Sequence, residues 1–334
     1  MIFADKQCVF ILPYFGKFNN YFPLFLRSCG YNPSFDFFIF TDNTVEYDYP
    51  SNVHVISMTL DEFKTIAKSK LGFPPCIPSP YKLCDFKPAY GIIFEDYISD
   101  YKFWGHCDCD LVFGNLEKIL SPILLQNYEK IFSAGHLTVY RNEYANNRRF
   151  MKALNGRRLY IEAFTTDRIY VFDEDNPDPE KNPDRCNVHS IFLNDHVPIY
   201  LEDVSMNISM LHDHIRRSYY VPETRTFVRD PYTPSRLYWM EGSILLVQWH
   251  GGTRKLSTSE YLYAHFHSRK MRISDSVLRA DVIEIRPDRF VAIDHIPNTR
   301  FDMHLLSLRL PSLFWLDVFS KRVKKKFLKL FTRP

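Results

Sequence analysis

The sequence predicts an α/β fold built on a parallel sheet, and three observations carry that prediction. Short apolar runs alternate with stretches of helical spacing from Cys8 to Leu71. The chain is 334 residues long with 46% hydrophobic content, enough to bury a sizeable core. It holds only 11 glycines, with neither a G-x-G-x-x-G nor a G-x-x-x-x-G-K-[ST] loop, so any bound nucleotide is held by something other than a glycine cradle. Disordered and fibrous architectures are excluded by the same composition. No apolar run reaches the ~20 residues that span a bilayer.

The elements follow in order. Cys8–Leu12 reads as a strand ended by Pro13, Tyr21–Ser28 as a helix, and Phe35–Phe40 as a strand closed by Thr41-Asp42-Asn43. Val53–Ile56 makes a third strand and Leu60–Leu71 a second helix. Ligands of such sheets gather where strands end, so Tyr14 and Asp42 either face a ligand or are plain turn residues. Phe73–Pro80 is too rich in proline for regular structure, Tyr81–Phe94 reads as a helix, and Tyr101–Asp110 is an aromatic strand that turns acidic. Lys130–Ala134 is another strand, Asp175–Asp184 a polar, proline-broken loop expected to be mobile, and Leu237–Trp249 a hairpin turning at Glu241-Gly242. No repeat or linker divides the chain. We expect a main domain over 1–275, an extension over 276–315 that packs on it, and a tail over 316–334. Seven cysteines, odd in number, fit free thiols in a reducing compartment, and the N-terminus has no secretory pattern; both point to the cytoplasm.

The strongest chemical signal is Asp108-Cys109-Asp110. Alternation sends the two carboxylates to one side and Cys107 and Cys109 to the other. Converging carboxylates repel unless a cation lies between them, and hard oxygen ligands suit Mn²⁺ or Mg²⁺ shared with a diphosphate. Zinc on His106, Cys107 and Cys109 is disfavoured by the spacing. Lys82 and Asp85 are i,i+3 neighbours, with Lys87 close by, and form either a surface ion pair or part of a site. His265 and His267 lie among aromatics ahead of Arg269, Lys270 and Arg272; they are core histidines, or they complete a metal–diphosphate site with the cations on the phosphates.

Together, Pro13-Tyr14-Phe15-Gly16, Phe40-Thr41-Asp42, Lys82-x-x-Asp85-x-Lys87-Pro88-x-x-Gly91, Trp104-Gly105-x-x-Asp108-x-Asp110, Gly135-His136, Phe172-Asp173-Glu174 and Tyr263-x-His265-Phe266-x-x-Arg269-Lys270 resemble a bacterial glycosyltransferase family with the GT-A fold, found among capsule and O-antigen genes. The resemblance spans roughly residues 7–275. It implies a mixed sheet flanked by helices and transfer from a nucleotide-sugar, foremost a UDP-hexose. The implied metal ligands are Asp108, Asp110 and His265. The donor contacts would be Tyr14, Phe15, Asp42, Lys82, Asp85, Lys87, Asp108, Arg269 and Lys270, and the acceptor contacts Gly135 and His136. Asp173 and Glu174 are either the catalytic carboxylates or a helix cap.

The net charge of +3 hides an asymmetry: all 39 acids but only 35 of the 42 cations lie before residue 321, and seven cations follow between Lys321 and Arg333. Leu316, Phe319, Val323, Phe327 and Leu330 share one helical face, giving a basic amphipathic helix that either docks on its own domain or lies on an anionic membrane. The acidic body argues against nucleic acid. A membrane-bound, lipid-linked saccharide acceptor at the cytosolic face of the inner membrane accounts for the tail. The competing reading is a non-catalytic protein that uses the fold and tail only to bind the membrane surface.

Overall fold

The computed structural model describes residues 6–175, 186–305 and 312–331, with the backbone alone at 304–305 and 324–331. Strands β1 (Cys8–Pro13), β2 (Phe35–Thr41), β3 (Val53–Ser57) and β4 (Phe103–Cys107) are joined by parallel pairing in the order β3-β2-β1-β4. Every residue of β1, β2 and β4 is buried, as expected of strands covered on both faces. After β5 (Leu111–Phe113), the sheet is completed by β6 (Lys130–Ile131), β7 (Leu137–Arg141) and β8 (Ile199–Tyr200) in the order β4-β7-β6-β8.

The sheet is mixed, as the resemblance implies: the strands read from sequence between Cys8 and Cys107 pair in parallel, and β7 runs antiparallel to both β4 and β6. Residues 132–136 between β6 and β7 are too few for a crossover, and only antiparallel strands tolerate so short a link. The strand expected over Lys130–Ala134 stops at Ile131, where Phe132 takes a left-handed φ of +71°.

Helix α1 (Phe22–Gly30) begins with a proline in its first turn, and α2 (Leu60–Leu71) has the predicted bounds. In α2 the Thr59 hydroxyl accepts the Glu62 N–H at 3.2 Å while Glu62 accepts the Thr59 N–H at 2.7 Å, and Gly72 closes the helix in the left-handed region. The helix expected over Tyr81–Phe94 is instead a 3₁₀ helix, Pro80–Ala89, followed by one α turn, Tyr90–Ile93. Pro88 lacks an N–H, and its ring obstructs the carbonyl an α-helix would place there.

Beyond β9 (Met206–Asn207), a hairpin of β10 (Ser218–Val221) and β11 (Thr226–Arg229) leads to a second sheet. That sheet contains β12 (Ser235–Met240), β13 (Ser243–His250), β14 (Lys255–Tyr261), then, after β15 (Tyr263–His265), β16 (Val282–Ile285) and β17 (Phe290–Ile293), ordered β14-β13-β12-β16-β17. The β12–β13 turn falls at Glu241-Gly242 as read from sequence, both with positive φ, the geometry that matches strand twist. Strands from either side of residue 275 therefore share one sheet. A small sheet, β5-β15-β9, links the two larger ones, and the Trp239 indole donates to the Phe113 carbonyl at 2.9 Å across the junction.

The C-terminal helix, Phe314–Phe331, rests on the body through one face. Phe314 is buried under the Arg269 guanidinium at 4.3 Å, Asp317 pairs with Arg272 at 2.8 Å, and the Lys321 ammonium donates to the Ser268 carbonyl. Trp315, Leu316 and Phe319 are turned outward and are 50%, 67% and 67% exposed. Phe327 and Leu330 lie outside the described side chains, as does all of the Asp175–Asp184 loop but Asp175. No helix among the described residues is long and apolar enough to cross a membrane.

Candidate functional site

Strand β4 ends at Cys107, and the chain turns through Asp108-Cys109-Asp110 before β5 resumes. Cys107 and Cys109 pack into the core, which leaves both aspartates facing a cavity of about 1150 Å³ at the C-terminal end of the sheet. The Asp108 N–H is fixed on the His136 carbonyl at 3.0 Å, and Asp110 accepts the Phe266 N–H on its own carbonyl at 3.1 Å. That second bond, with the antiparallel register His265 to Leu111, delivers His265 beside Asp110 from far along the chain.

Ligand atoms of Asp108, Asp110 and His265 lie within 4.8 Å of one another, the one such group of metal-binding type among the described residues. The arrangement fits a divalent ion. His265 Nδ1 donates to Asn207 Oδ1 at 3.0 Å, which fixes the tautomer and leaves the Nε2 lone pair toward Asp110 at 3.4 Å. Burial pushes the His265 imidazole down to about 4, so it is neutral at pH 7 and available as a ligand. Asp110 Oδ1 is buried with no hydrogen-bond donor among the described residues, and burial pushes its carboxyl up to about 6; burial first, and then Asp110, raises Asp108 as well. Two half-buried carboxylates set this close are stabilised by a cation shared between them. The free thiols of Cys107 and Cys109 take no part.

Lys87 Nζ sits next to this group, 2.7 Å from Asp108 Oδ1, 3.3 Å from Asp173 Oδ2 and 2.8 Å from the Gly135 carbonyl. Burial would depress this ammonium, but Asp108 and Asp173 outweigh it and hold it well above its ordinary range. Asp173 is itself driven well above the usual carboxylate range, by burial first and then by Glu174, Asp85 and Asp108 against the opposing pull of Lys87. Glu174 accepts the Gly135 N–H at 3.0 Å. His136 lines the cavity with its Nδ1 hydrogen-bonded to the Tyr263 hydroxyl at 2.7 Å and its buried Nε2 without a partner among the described residues.

The cavity thus gathers Tyr14, Phe15, Lys87, Asp108, Asp110, Gly135, His136, Asp173, Glu174, His265 and Arg269 from the residues singled out in the sequence. Four others are not brought in. Asp42 is exposed and accepts the Gly16 N–H at 2.7 Å, shaping the loop that carries Tyr14. Lys82 and Asp85, expected at the donor, are wholly buried and pair with each other at 2.7 Å. Lys270 points away toward Asp317 at 3.9 Å. Arg269 lines the cavity, but its guanidinium donates to the carbonyls of Pro287, Ser209 and His212, so it braces the wall. Sequence reasoning missed Asn207 and Phe227, which line the cavity from elements that carry no local motif, and Tyr90, which lies inside the Lys82–Gly91 motif but was not singled out.

Among solved structures, the chain is similar to the galactosyltransferase LgtC in complex with donor and acceptor sugar analogs, with 10% identity, a TM-score of 0.33, and coverage of 60% of this chain and 75% of that one. It is similar also to mouse xyloside xylosyltransferase 1 in its apo form, at 6% identity and a TM-score of 0.34 over 61% of this chain and 87% of that one. Likeness of this extent is too slight to assign chemistry. No curated protein matches by sequence. The model of a family of unknown function, DUF6625, matches residues 10–294, and the chain belongs to that family.

Proposed function

We propose that the protein is a metal-dependent glycosyltransferase of the GT-A kind that moves a sugar from a nucleotide-sugar, foremost a UDP-hexose, to a lipid-linked saccharide in capsule or O-antigen synthesis. The observation that carries this reading is the Asp108–Asp110–His265 group at the C-terminal end of the parallel strands, open to a cavity large enough for a nucleotide-sugar. Those three residues would hold Mn²⁺ or Mg²⁺, and the ion would neutralise the charge that builds on a departing diphosphate. Lys87 adds a second cation beside it. Tyr14 and Phe15 offer aromatic surface to a base, and Gly135 and His136 border the acceptor side. Asp173 and Glu174 stand where a proton from an acceptor hydroxyl would be taken up, and burial raises Asp173 toward the range useful for that task.

The C-terminal helix supports a lipid-linked acceptor. It packs on the body through Phe314, Asp317 and Lys321 and leaves Leu316 and Phe319 exposed next to a run of cations, a combination suited to the anionic cytosolic face of the inner membrane. The deciding experiment is release of nucleoside diphosphate from a panel of nucleotide-sugars with Mn²⁺, comparing the native chain with Asp110→Asn. Turnover that is metal-dependent and lost in the variant is expected; turnover unchanged in the variant defeats the assignment.

A further inference from the structure

The chain enters Asp173 through Val171, whose φ of +63° lies in the left-handed region. A β-branched side chain there crowds its own backbone, and such strain persists only where the surroundings impose it. The surroundings are two side chains of the 3₁₀ helix. Asp85 accepts the Tyr170 N–H on Oδ2 at 2.8 Å and the Phe172 N–H on Oδ1 at 2.9 Å, so one carboxylate grips the amides on both sides of Val171. In an extended strand, amides two residues apart are separated by ~7 Å, too far for one carboxylate to take both. The residue between them must fold back.

Lys82 completes the arrangement. Its Nζ donates to Asp85 Oδ2 at 2.7 Å and to the carbonyls of Ala163 at 2.8 Å and Arg168 at 2.5 Å, which uses all three ammonium protons. Neither side chain reaches solvent, so neither has a free face for a sugar or a phosphate. On the far side, the Val188 N–H bonds the Phe172 carbonyl at 3.0 Å and the Asp175 N–H bonds the Ser133 carbonyl at 3.1 Å. Anchored before and after, Asp173 points toward Lys87 and Gly135 in the cavity.

We propose that Lys82 and Asp85 form a buried clamp that holds Val171 in the left-handed conformation and thereby aims Asp173 into the cavity, making them positioning residues and not donor ligands. Only the catalytic consequence rests on the transferase reading; the clamp itself does not.

Thermal melts of the full chain test the clamp without any activity. At ordinary φ, alanine stabilises over glycine; in the left-handed region the order reverses. Val171→Gly is expected to melt above Val171→Ala, and the opposite order overturns the proposal. Asp85→Asn is expected to lower the midpoint less in a Val171→Gly background than in the native chain, and equal losses overturn it. If Asp85→Asn does not fold, the opposite order of the Val171 pair still overturns the proposal. Where turnover is measurable, Asp85→Asn should lower kcat at least tenfold with donor KM unchanged, and Val171→Gly should restore part of it. A tenfold rise in donor KM at unchanged kcat would place Asp85 on the donor and refute the clamp. A protein that passes the melts but turns over no nucleotide-sugar refutes the transferase reading alone.

Discussion

Replacing Gly135 with alanine puts a methyl carbon where an ideal Cβ lies 2.5 Å from Asp173 Oδ2 and 3.0 Å from Glu174 Oε2. Ordinary contact begins at 3.4 Å, so something must yield by about 0.9 Å. The Gly135 backbone is held on both sides, its carbonyl by Lys87 at 2.8 Å and its N–H by Glu174 at 3.0 Å. The Asp173 carboxylate is therefore the group that moves, away from a Lys87 ammonium now 3.3 Å distant. Lys87 keeps Asp108 at 2.7 Å, so the cost to the fold is that of one weakened polar contact, about 1 kcal/mol, or a few degrees in Tm. Displacement of a reacting group by close to 1 Å costs on the order of 100-fold in rate, equivalent to about 2.7 kcal/mol of barrier. Gly135→Ala should thus fold, bind Mn²⁺ as the native chain does, and lose about 100-fold in kcat. Steady-state turnover of a nucleotide-sugar, with calorimetry for Mn²⁺ and a thermal melt, makes the comparison. A variant that melts normally and turns over within a factor of about three of the native chain would refute a role for Asp173 in the rate-limiting step.

The metal assignment predicts that Asn207→Ala, which frees the His265 ring, weakens Mn²⁺ about 10–100-fold, and that Asp110→Asn weakens it at least as much; unchanged calorimetric isotherms would sink it. Lys130 is fully buried on β6, with its ammonium on the Phe132 carbonyl at 2.5 Å, and burial pulls it down to about 7. Below pH 7 both folded and unfolded chains carry that proton, whereas between about 7 and 10.5 only the unfolded chain does, so this group makes stability rise with pH across that window. Urea melts of Lys130→Met from pH 7 to 9.5 should show a flatter rise than the native chain, and parallel curves would contradict the shift. Leu316→Asp with Phe319→Asp should cut binding to anionic vesicles at least tenfold, given ~1.5–3 kcal/mol per buried apolar side chain, while circular dichroism stays unchanged; undiminished binding would remove the helix from the membrane reading.

What the sequence made legible is what short-range patterns encode. The bounds of α2 follow from Thr59, Glu62 and Gly72, and the hairpin turn from Gly242, which accepts positive φ. Asp108 and Asp110 were legible because two carboxylates at period two, with cysteines between them and before them, have one apolar side to bury and one charged side to present. The partner that completes the group was legible only as a residue type. Nothing near His265 tells which strand it joins, and its approach to Asp110 depends on a pairing across some 150 residues between β15 and β5. Lys82 and Asp85 show the opposite failure. Their spacing is that of any surface pair, and the 3₁₀ geometry around Pro88, together with the segment from Arg168 to Phe172 folding over them, decides that they are inside.

Charge balance within the cavity ties these findings together. Asp108, Asp110, Asp173 and Glu174 line it, against Lys87, Arg229 and Arg269. Arg269 is committed to three carbonyls, Arg229 is exposed, and the three histidines His136, His265 and His267 are all depressed first by burial, hence neutral. Among the described residues, Lys87 is the cation that meets Asp108 and Asp173 directly. One ammonium carries a single charge against the two half-buried aspartates. A divalent ion between Asp108 and Asp110 would offset those two carboxylates and set its positive charge beside Lys87, so that this end of the cavity attracts an anionic diphosphate instead of repelling it. Binding of a nucleoside diphosphate should therefore require the metal, and tight binding in a chelator would contradict this account.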